Sequence, residues 1–332
     1  MKNKKLNVFI IFILTLVVLY FALKDDYDEI IPLLFNANIL WLLASYLLVL
    51  IYTFLKSVVT NDIISLFKQY GLVNTFKLQL MTFFFNSITP FSTGGQPFQI
   101  YVLKKNNLTL TQASNIVVQE SIIHQISLSV IVVITILLNV FLNIYKLDFS
   151  LYFFLVIGFL LNAVAVIILF ILAYGKKIDY KFTKLVINIL FKLKIIKSKE
   201  EKIKKWEDYI EEFNDASKNL LINKKRFIKL VFINSLAMVC LYISPLIILF
   251  SLGNYSAFNG IISIVLVSFV SIISCFVPLP GGSLGQEYLF NLFFAYYVSN
   301  PILSSLMILW RLITYYLPMI VGAVIFNVNR KN

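Results

Sequence analysis

Five times between residues 39 and 326 the chain runs apolar for long enough to cross a bilayer as a helix: 39–55, 109–145, 151–174, 227–252 and 302–326. A hydrocarbon core of about 30 Å takes roughly 17–25 residues of helix. Lipid offers the backbone no hydrogen bonds, so a spanning segment must close its own; continuous rather than alternating apolar runs do that as helices. A sixth run, 6–23, follows Lys2, Lys4 and Lys5. The acidic residues Asp25, Asp26, Asp28 and Glu29 come after it instead of a small-residue cleavage site, so an uncleaved first span with a cytoplasmic amino terminus is expected. Hydrophobic residues make up 60% of the chain, against roughly 45–50% in soluble domains. The expected class is an all-α polytopic integral membrane protein.

Two apolar stretches are broken. Residues 76–85 are too few to cross as a helix, and Pro90, Ser92, Thr93, Gly94, Gly95 and Pro97 follow at once. The second break, residues 278–285, holds Pro278, Pro280, Gly281, Gly282 and Gly285. Irregular backbone at membrane depth is tolerated where protein or a water-filled cavity satisfies it, and paired interruptions in two halves mark transporters built from repeats. The expectation is about six full transmembrane helices plus two re-entrant hairpins, 75–105 and 258–298, in an inverted-topology repeat. Lys56, Lys68 and Lys77 precede or enter the first hairpin and Lys104 and Lys105 leave it, which opens it to the cytoplasm. The second then opens outward. Residues 1–332 read as one domain: a first half, 1–175, a connector, 176–226, and a second half, 227–332. Glu120 and Arg311 lie about ten residues into the helix after each hairpin.

The net charge of +13 is concentrated, with sixteen Lys and Arg between 176 and 229. No nucleic-acid-binding module accompanies them, so the positive-inside bias and anionic leaflet lipids explain the charge. Within the connector Ile203, Trp206, Tyr209, Ile210, Phe213 and Leu220 recur at helical spacing among charges. This reads as an amphipathic helix on the cytoplasmic membrane surface, either a solvated link or a lipid sensor. Cys240 and Cys275 sit in apolar runs, and His124 has no Cys or His near it in sequence, so neither a disulfide framework nor a metal site is expected. Both chain termini are expected to be cytoplasmic.

Glu120, Glu287 and Arg311 are the intramembrane charges. Each costs about 2.5–3.5 kcal/mol at a helix centre, so each needs a partner, a substrate or a structural ion pair. Gly94, Gly95, Gly281 and Gly282 allow close backbone approach and offer amides to a polar group at half-helix amino termini; close helix packing would use the same glycines. Asn86 and Gln96 are candidate headgroup contacts, His124 stands one turn from Glu120, Lys56 reads as a snorkelling charge, and Tyr315 and Tyr316 suit an interfacial belt equally well.

Pro90 with Gly94-Gly95, Glu120, Pro278-x-Pro280-Gly281-Gly282-x-x-Gly285-x-Glu287, and Arg311 with Pro318 and Gly322 together resemble the flippase-like transmembrane region of lysylphosphatidylglycerol synthases. The wider family includes stand-alone members linked to polyprenyl-glycolipid and hopanoid handling. Where the family reads Glu-Arg-x-x-Asp, this chain has Glu120-Ser-Ile-Ile-His124. The resemblance implies translocation of a polar-headed phospholipid, a lipid-linked glycan or an aminoacyl lipid across the cytoplasmic membrane. Arg311 and the Gly-Gly turns would hold phosphate, and Glu120 and Glu287 cationic or hydroxyl atoms. The aminoacyl-transferase domain of the synthases is not readable here, nor is a nucleophile elbow, a P-loop or a zinc motif, so no catalysis and no cofactor are expected. The alternative is a non-transporting membrane partner that scaffolds or regulates a lipid-modifying or glycosyl-transferring enzyme.

Overall fold

A computed structural model describes residues 27–192, 198–275 and 284–331. The expected first span, 6–23, and the second break with Pro278, Pro280, Gly281 and Gly282 lie outside these residues. Among the described residues the regular structure is helical: α1 (Tyr27–Phe35), α2 (Ile39–Ile64), α3 (Leu72–Ser87), α4 (Gly95–Lys105), α5 (Leu110–Leu142), α6 (Phe149–Tyr174), α7 (Lys176–Lys192), α8 (Lys199–Ile222), α9 (Lys224–Tyr242), α10 (Ser244–Ser251), α11 (Gly260–Ser274), α12 (Gly285–Phe294), α13 (Ile302–Arg311) and α14 (Leu317–Lys331). Five helical segments are long and apolar enough to cross a membrane: α2, α5, α6, α9 with α10, and α13 with α14. They match the five runs read between residues 39 and 326.

The distribution of side chains suits lipid as the outer solvent. On α2 the exposed Leu43, Leu47, Ile51 and Phe54 form one stripe, whereas Ser45, Val49, Thr53, Ser57 and Thr60, small and mostly polar, are buried at one-turn spacing on the other. Hydroxyls satisfied by the preceding turn, such as Ser57 on the Thr53 carbonyl at 2.6 Å, bring no orphaned polar atom inside. Local signals set the helix starts. Thr109 and Gln112 form a reciprocal capping box at α5, and Asp148 caps α6 through the Leu151 amide at 2.7 Å. Pro245, at the start of α10, accounts for the break between α9 and α10.

The broken stretches give short helices packed on one another. Helix α3 has 16 residues and α4 has 11, about 24 and 16 Å of rise; α11 and α12, with 15 and 10, reach about 22 and 15 Å. None matches the hydrocarbon thickness alone. Lys68 Nζ donates to the Asn106 carbonyl at 3.0 Å, holding the start of α3 and the end of α4 at one end of the molecule. At the opposite end Phe258, just before α11, meets the ring of Phe294 at the end of α12, and Tyr297 bonds to the Ile144 carbonyl. Each hairpin packs against the other half. Helix α14 crosses α3 where a Cβ on Gly322 would strike the Leu80 carbonyl oxygen, and α11 crosses α6 where one on Gly158 would lie 2.8 Å from that of Ile272.

The connector is helical, and protein covers part of the apolar side of α8: Ile210 and Phe213 are buried, α7 lies alongside, and Asn115 on α5 donates to the Phe213 carbonyl at 3.0 Å and to Ser217 at 2.5 Å. Glu212 accepts from Thr111 at 3.0 Å. Protein thus covers the Ile210 and Phe213 part of the stripe, while Trp206 one turn earlier stays exposed.

Candidate functional site

A cavity of about 530 Å³ lies between the halves. Helices α2, α3, α4 and α5 supply one wall; α9, α11, the start of α12 and the α13–α14 segment supply the other. Lys56, Asn86, Gln96, Glu120 and His124 stand on the first wall and Gln286 and Arg311 on the second.

The acid end is built on three polar stripes. Glu120 is buried on α5, and its Oε1 accepts from Gln79 Nε2 at 2.9 Å while Oε2 accepts from Gln99 Nε2 at 3.2 Å. Gln79 also donates to Thr60 Oγ1 at 2.8 Å, which locks the amide across α2, α3 and α5. Lys56 Nζ stands 3.7 Å from Glu120 Oε1, an ion pair longer than a hydrogen bond. The snorkelling role read for Lys56 is therefore corrected: its side chain is on the cavity wall beside a buried carboxylate. His124 also lines the cavity but makes no hydrogen bond to Glu120 among the described residues, and its Nδ1 is buried without a partner.

The basic end is built on the last segment. Arg311 is buried at the end of α13, where five residues, Leu312–Tyr316, form a π-helical turn. Pro318 cannot bond back to Thr314, and the Leu317 amide reaches Leu312, so the wider turn absorbs the proline. Arg311 Nε is 2.7 Å from Glu287 Oε1, Nη1 donates to Gln286 Oε1 at 2.8 Å, and the guanidinium lies 4.3 Å from the Tyr315 ring centroid. The Nε–Glu287 contact is an ion pair whose N–H is not aligned as a hydrogen bond. Tyr315 is buried, with its hydroxyl donating to the Ser87 carbonyl at 2.9 Å, so an interfacial-belt role is corrected for it.

Glu120 and Arg311 thus share one cavity, while the direct partner of Arg311 is Glu287. The glycine pair at the first break has a role other than offering amides. Gly94 N–H donates to Thr89 Oγ1 and Gly95 N–H to Asn86 Oδ1, both at 2.8 Å, so these donors close the turn instead of facing a ligand. A Cβ on Gly95 would fall 2.5 Å from Asn86 Oδ1. The left-handed backbone falls on Phe91 and Ser92, at φ 54 and 52°. Gly281 and Gly282 lie outside the described residues.

Gln79, Gln99 and Gln286 were missed from the sequence, and Lys56 was given another role. Spacing could have placed Lys56 and found Gln79. Thr53, Lys56 and Thr60 recur every three or four residues on α2, as do Thr75, Gln79, Thr82 and Asn86 on α3, and a polar stripe in an apolar helix faces protein or a cavity. Gln96 and Gln286 each follow the first glycine of a post-break helix, and each reaches the next long segment, Gln96 to Ser121 at 3.4 Å and Gln286 to Arg311.

No solved structure matches the chain. A UPF0104 membrane protein of Archaeoglobus fulgidus is 27% identical over 261 residues, 76% of this chain and 75% of its own length. The model of the lysylphosphatidylglycerol synthase TM region matches residues 7–322. With that match across nearly its whole length, the chain belongs to the family of the lysylphosphatidylglycerol synthase TM region.

Proposed function

We propose that the protein moves a polar-headed lipid between the leaflets of the cell membrane and leaves its covalent structure unchanged. One observation carries this reading: a polar cavity lined by ionisable groups from both halves, Lys56 and Glu120 on one side and Arg311 on the other. A fully packed, dry interior would have favoured the scaffold reading. At about 530 Å³ the cavity falls among ligand sites of roughly 300–1,000 Å³. That is room for a headgroup while the acyl chains stay in lipid. The two short-helix hairpins, entering from opposite ends, support a re-entrant pair in an inverted repeat with the polar site between them. Both termini are then cytoplasmic, and a separate lipid-modifying enzyme would supply the substrate. Transport is passive or coupled to an ion gradient.

The test is leaflet exchange in vesicles carrying the purified full chain and a trace of fluorescent phospholipid, with and without an imposed pH gradient. A membrane-impermeant quencher should reach the whole label within the assay, and only the outer half in empty vesicles. Arg311→Lys should slow exchange, because an ammonium cannot reproduce the guanidinium fork against Gln286 and Glu287. Protein-bearing vesicles that protect half the label under both conditions would overturn the proposal.

A further inference from the structure

We propose that a second cavity, of about 410 Å³ between the connector and the membrane helices, binds an organic cation in which a primary ammonium is joined to an apolar body. It shares no lining residue with the cavity between the halves. Val118 on α5 and Leu172 at the end of α6 close one side of it. Helices α7 and α8 run antiparallel across the rest, tied by Lys176 to Glu211 at 2.6 Å and by Lys184 to Glu207 at 2.9 Å. The volume is that of a small-molecule site, roughly 300–1,000 Å³.

The polar groups on this wall lack a cation. Asp179 is half-buried there, and among the described residues its carboxylate accepts one long hydrogen bond, from Asn214 Nδ2 at 3.4 Å, and pairs with no Lys or Arg. Its neighbours differ. Glu207, Glu211 and Asp215 each hold a lysine, at 2.9, 2.6 and 2.7 Å, so the described lysines nearby neutralise the outer acids and leave Asp179 alone. Asn214 cannot supply more, because Nδ2 is also given to the Ile210 carbonyl at 3.0 Å; that orientation leaves its buried Oδ1 an acceptor without a partner. Thr183, one turn along α7 from Asp179, adds a hydroxyl that makes no hydrogen bond among the described residues. Acceptors with an uncompensated charge select a ligand that brings donors and positive charge. An ammonium has three donors and no acceptor, a hydroxyl leaves the charge unmet, and an anion meets it head-on. The remaining wall suits the body of such a ligand. Trp206, Tyr209 and Phe213 form a chain of ring contacts at 5.4 and 6.2 Å along α8, and ring faces attract a cation as an aliphatic wall does not.

The experiment titrates the purified full chain in detergent at neutral pH with phenethylamine, phenethyl alcohol and hydrocinnamate and reads binding by calorimetry. The three probes share an apolar body and differ in the head. The amine should bind about tenfold or more tighter than the alcohol, the worth of a hydrogen bond to a charged group, and the acid should not bind. Asp179→Asn should bring amine and alcohol to the same affinity; it removes a half-buried charge and should fold. Asp208→Asn, which removes an exposed carboxylate of α8, should keep the preference. Thr183→Phe, which fills the cavity, should weaken amine and alcohol alike. No binding of the amine, an alcohol bound as tightly, an unchanged preference in Asp179→Asn or an unchanged amine affinity in Thr183→Phe would each overturn the proposal. Repeating the titration in phosphatidylglycerol vesicles with and without phosphatidylethanolamine separates the sources of the cation. Amine binding lost on adding the aminophospholipid assigns the cavity to a membrane amine, and binding kept assigns it to a free one.

Discussion

Arg311 and Glu287 are both buried and 2.7 Å apart, so neither can be removed alone without stranding the other. Breaking a buried pair by deleting one partner costs about 3–5 kcal/mol, mostly for the charge left behind. Arg311→Gln and Glu287→Gln should each lower the thermal midpoint markedly, and the double variant should recover much of the loss. A double-mutant cycle on unfolding checks this; additive losses would mean the pair is not coupled. The double variant should fold and still fail to exchange lipid, which separates support of the fold from the work of the site. Gly95 is a second single-residue test. Because a Cβ there would meet Asn86 Oδ1 and Thr82, Gly95→Ala should weaken the turn and lower the midpoint even though its backbone is helical. The sequence pointed to a close approach at this glycine. It did not tell that the approaching groups are Asn86 and Thr82 of the same hairpin, because which atoms fill the space beside a glycine is decided by packing.

At the scale of the helices, the crossings rest on absent side chains. Gly322→Ala should force α14 away from the Leu80 carbonyl and cost about 1–3 kcal/mol as overpacking, whereas Gly260→Ala, whose nearest neighbour would be Leu246 at 3.9 Å, serves as the tolerated control. Equal midpoints for the two variants would sink the argument. The connector carries a pH prediction. Burial raises the Asp179 carboxyl above its ordinary 3.8, with the Asn214 amide at 3.4 Å opposing that rise. A raised folded value means the native state holds the proton more tightly, so stability falls as pH climbs from about 3.8 through the folded value and is level above it. Asp179→Asn should flatten that fall and leave the protein more stable at neutral pH, as read from melting curves across acid pH. Element positions were well legible here. The apolar runs located the five long segments, and the clusters of Pro and Gly located the first hairpin, since both signals are local. The posture of α8 was not legible, because its spacing of Ile210 and Phe213 says that one face is apolar and cannot say whether lipid or α5 and α7 covers it.

For the whole molecule, the arrangement of ends carries the last prediction. Arg226 binds Asp62 at 2.5 Å, Lys68 binds the Asn106 carbonyl, and Thr111 binds Glu212. These contacts gather the start of α9, the end of α2, the loops flanking α3 and α4, and the connector at one end. Lys68, Lys104, Lys105, Lys224, Lys225 and Arg226 all belong to that end. The other end joins Asn38 to the Ser251 carbonyl at 2.8 Å and Tyr297 to that of Ile144, and among the described residues its loops carry Lys146 as their basic residue. Cytoplasmic loops collect Lys and Arg, so the basic end should be inside. The lysines gave an expected orientation, but the meeting of Glu120 and Arg311 in one cavity was not fixed by them, since no local signal ties residues of opposite halves. With Cys240 and Cys275 replaced by Ser, a membrane-impermeant thiol reagent applied from outside should label Asn254→Cys and spare Lys104→Cys. In inverted vesicles the pattern should exchange. Because both outer ends of the first hairpin lie at the basic end and both of the second at the other, labelling of the two positions from the same face would contradict the opposed hairpins. An opposite but still asymmetric pattern would keep the hairpins opposed and turn the molecule over in the membrane, placing the basic connector outside against the charge rule.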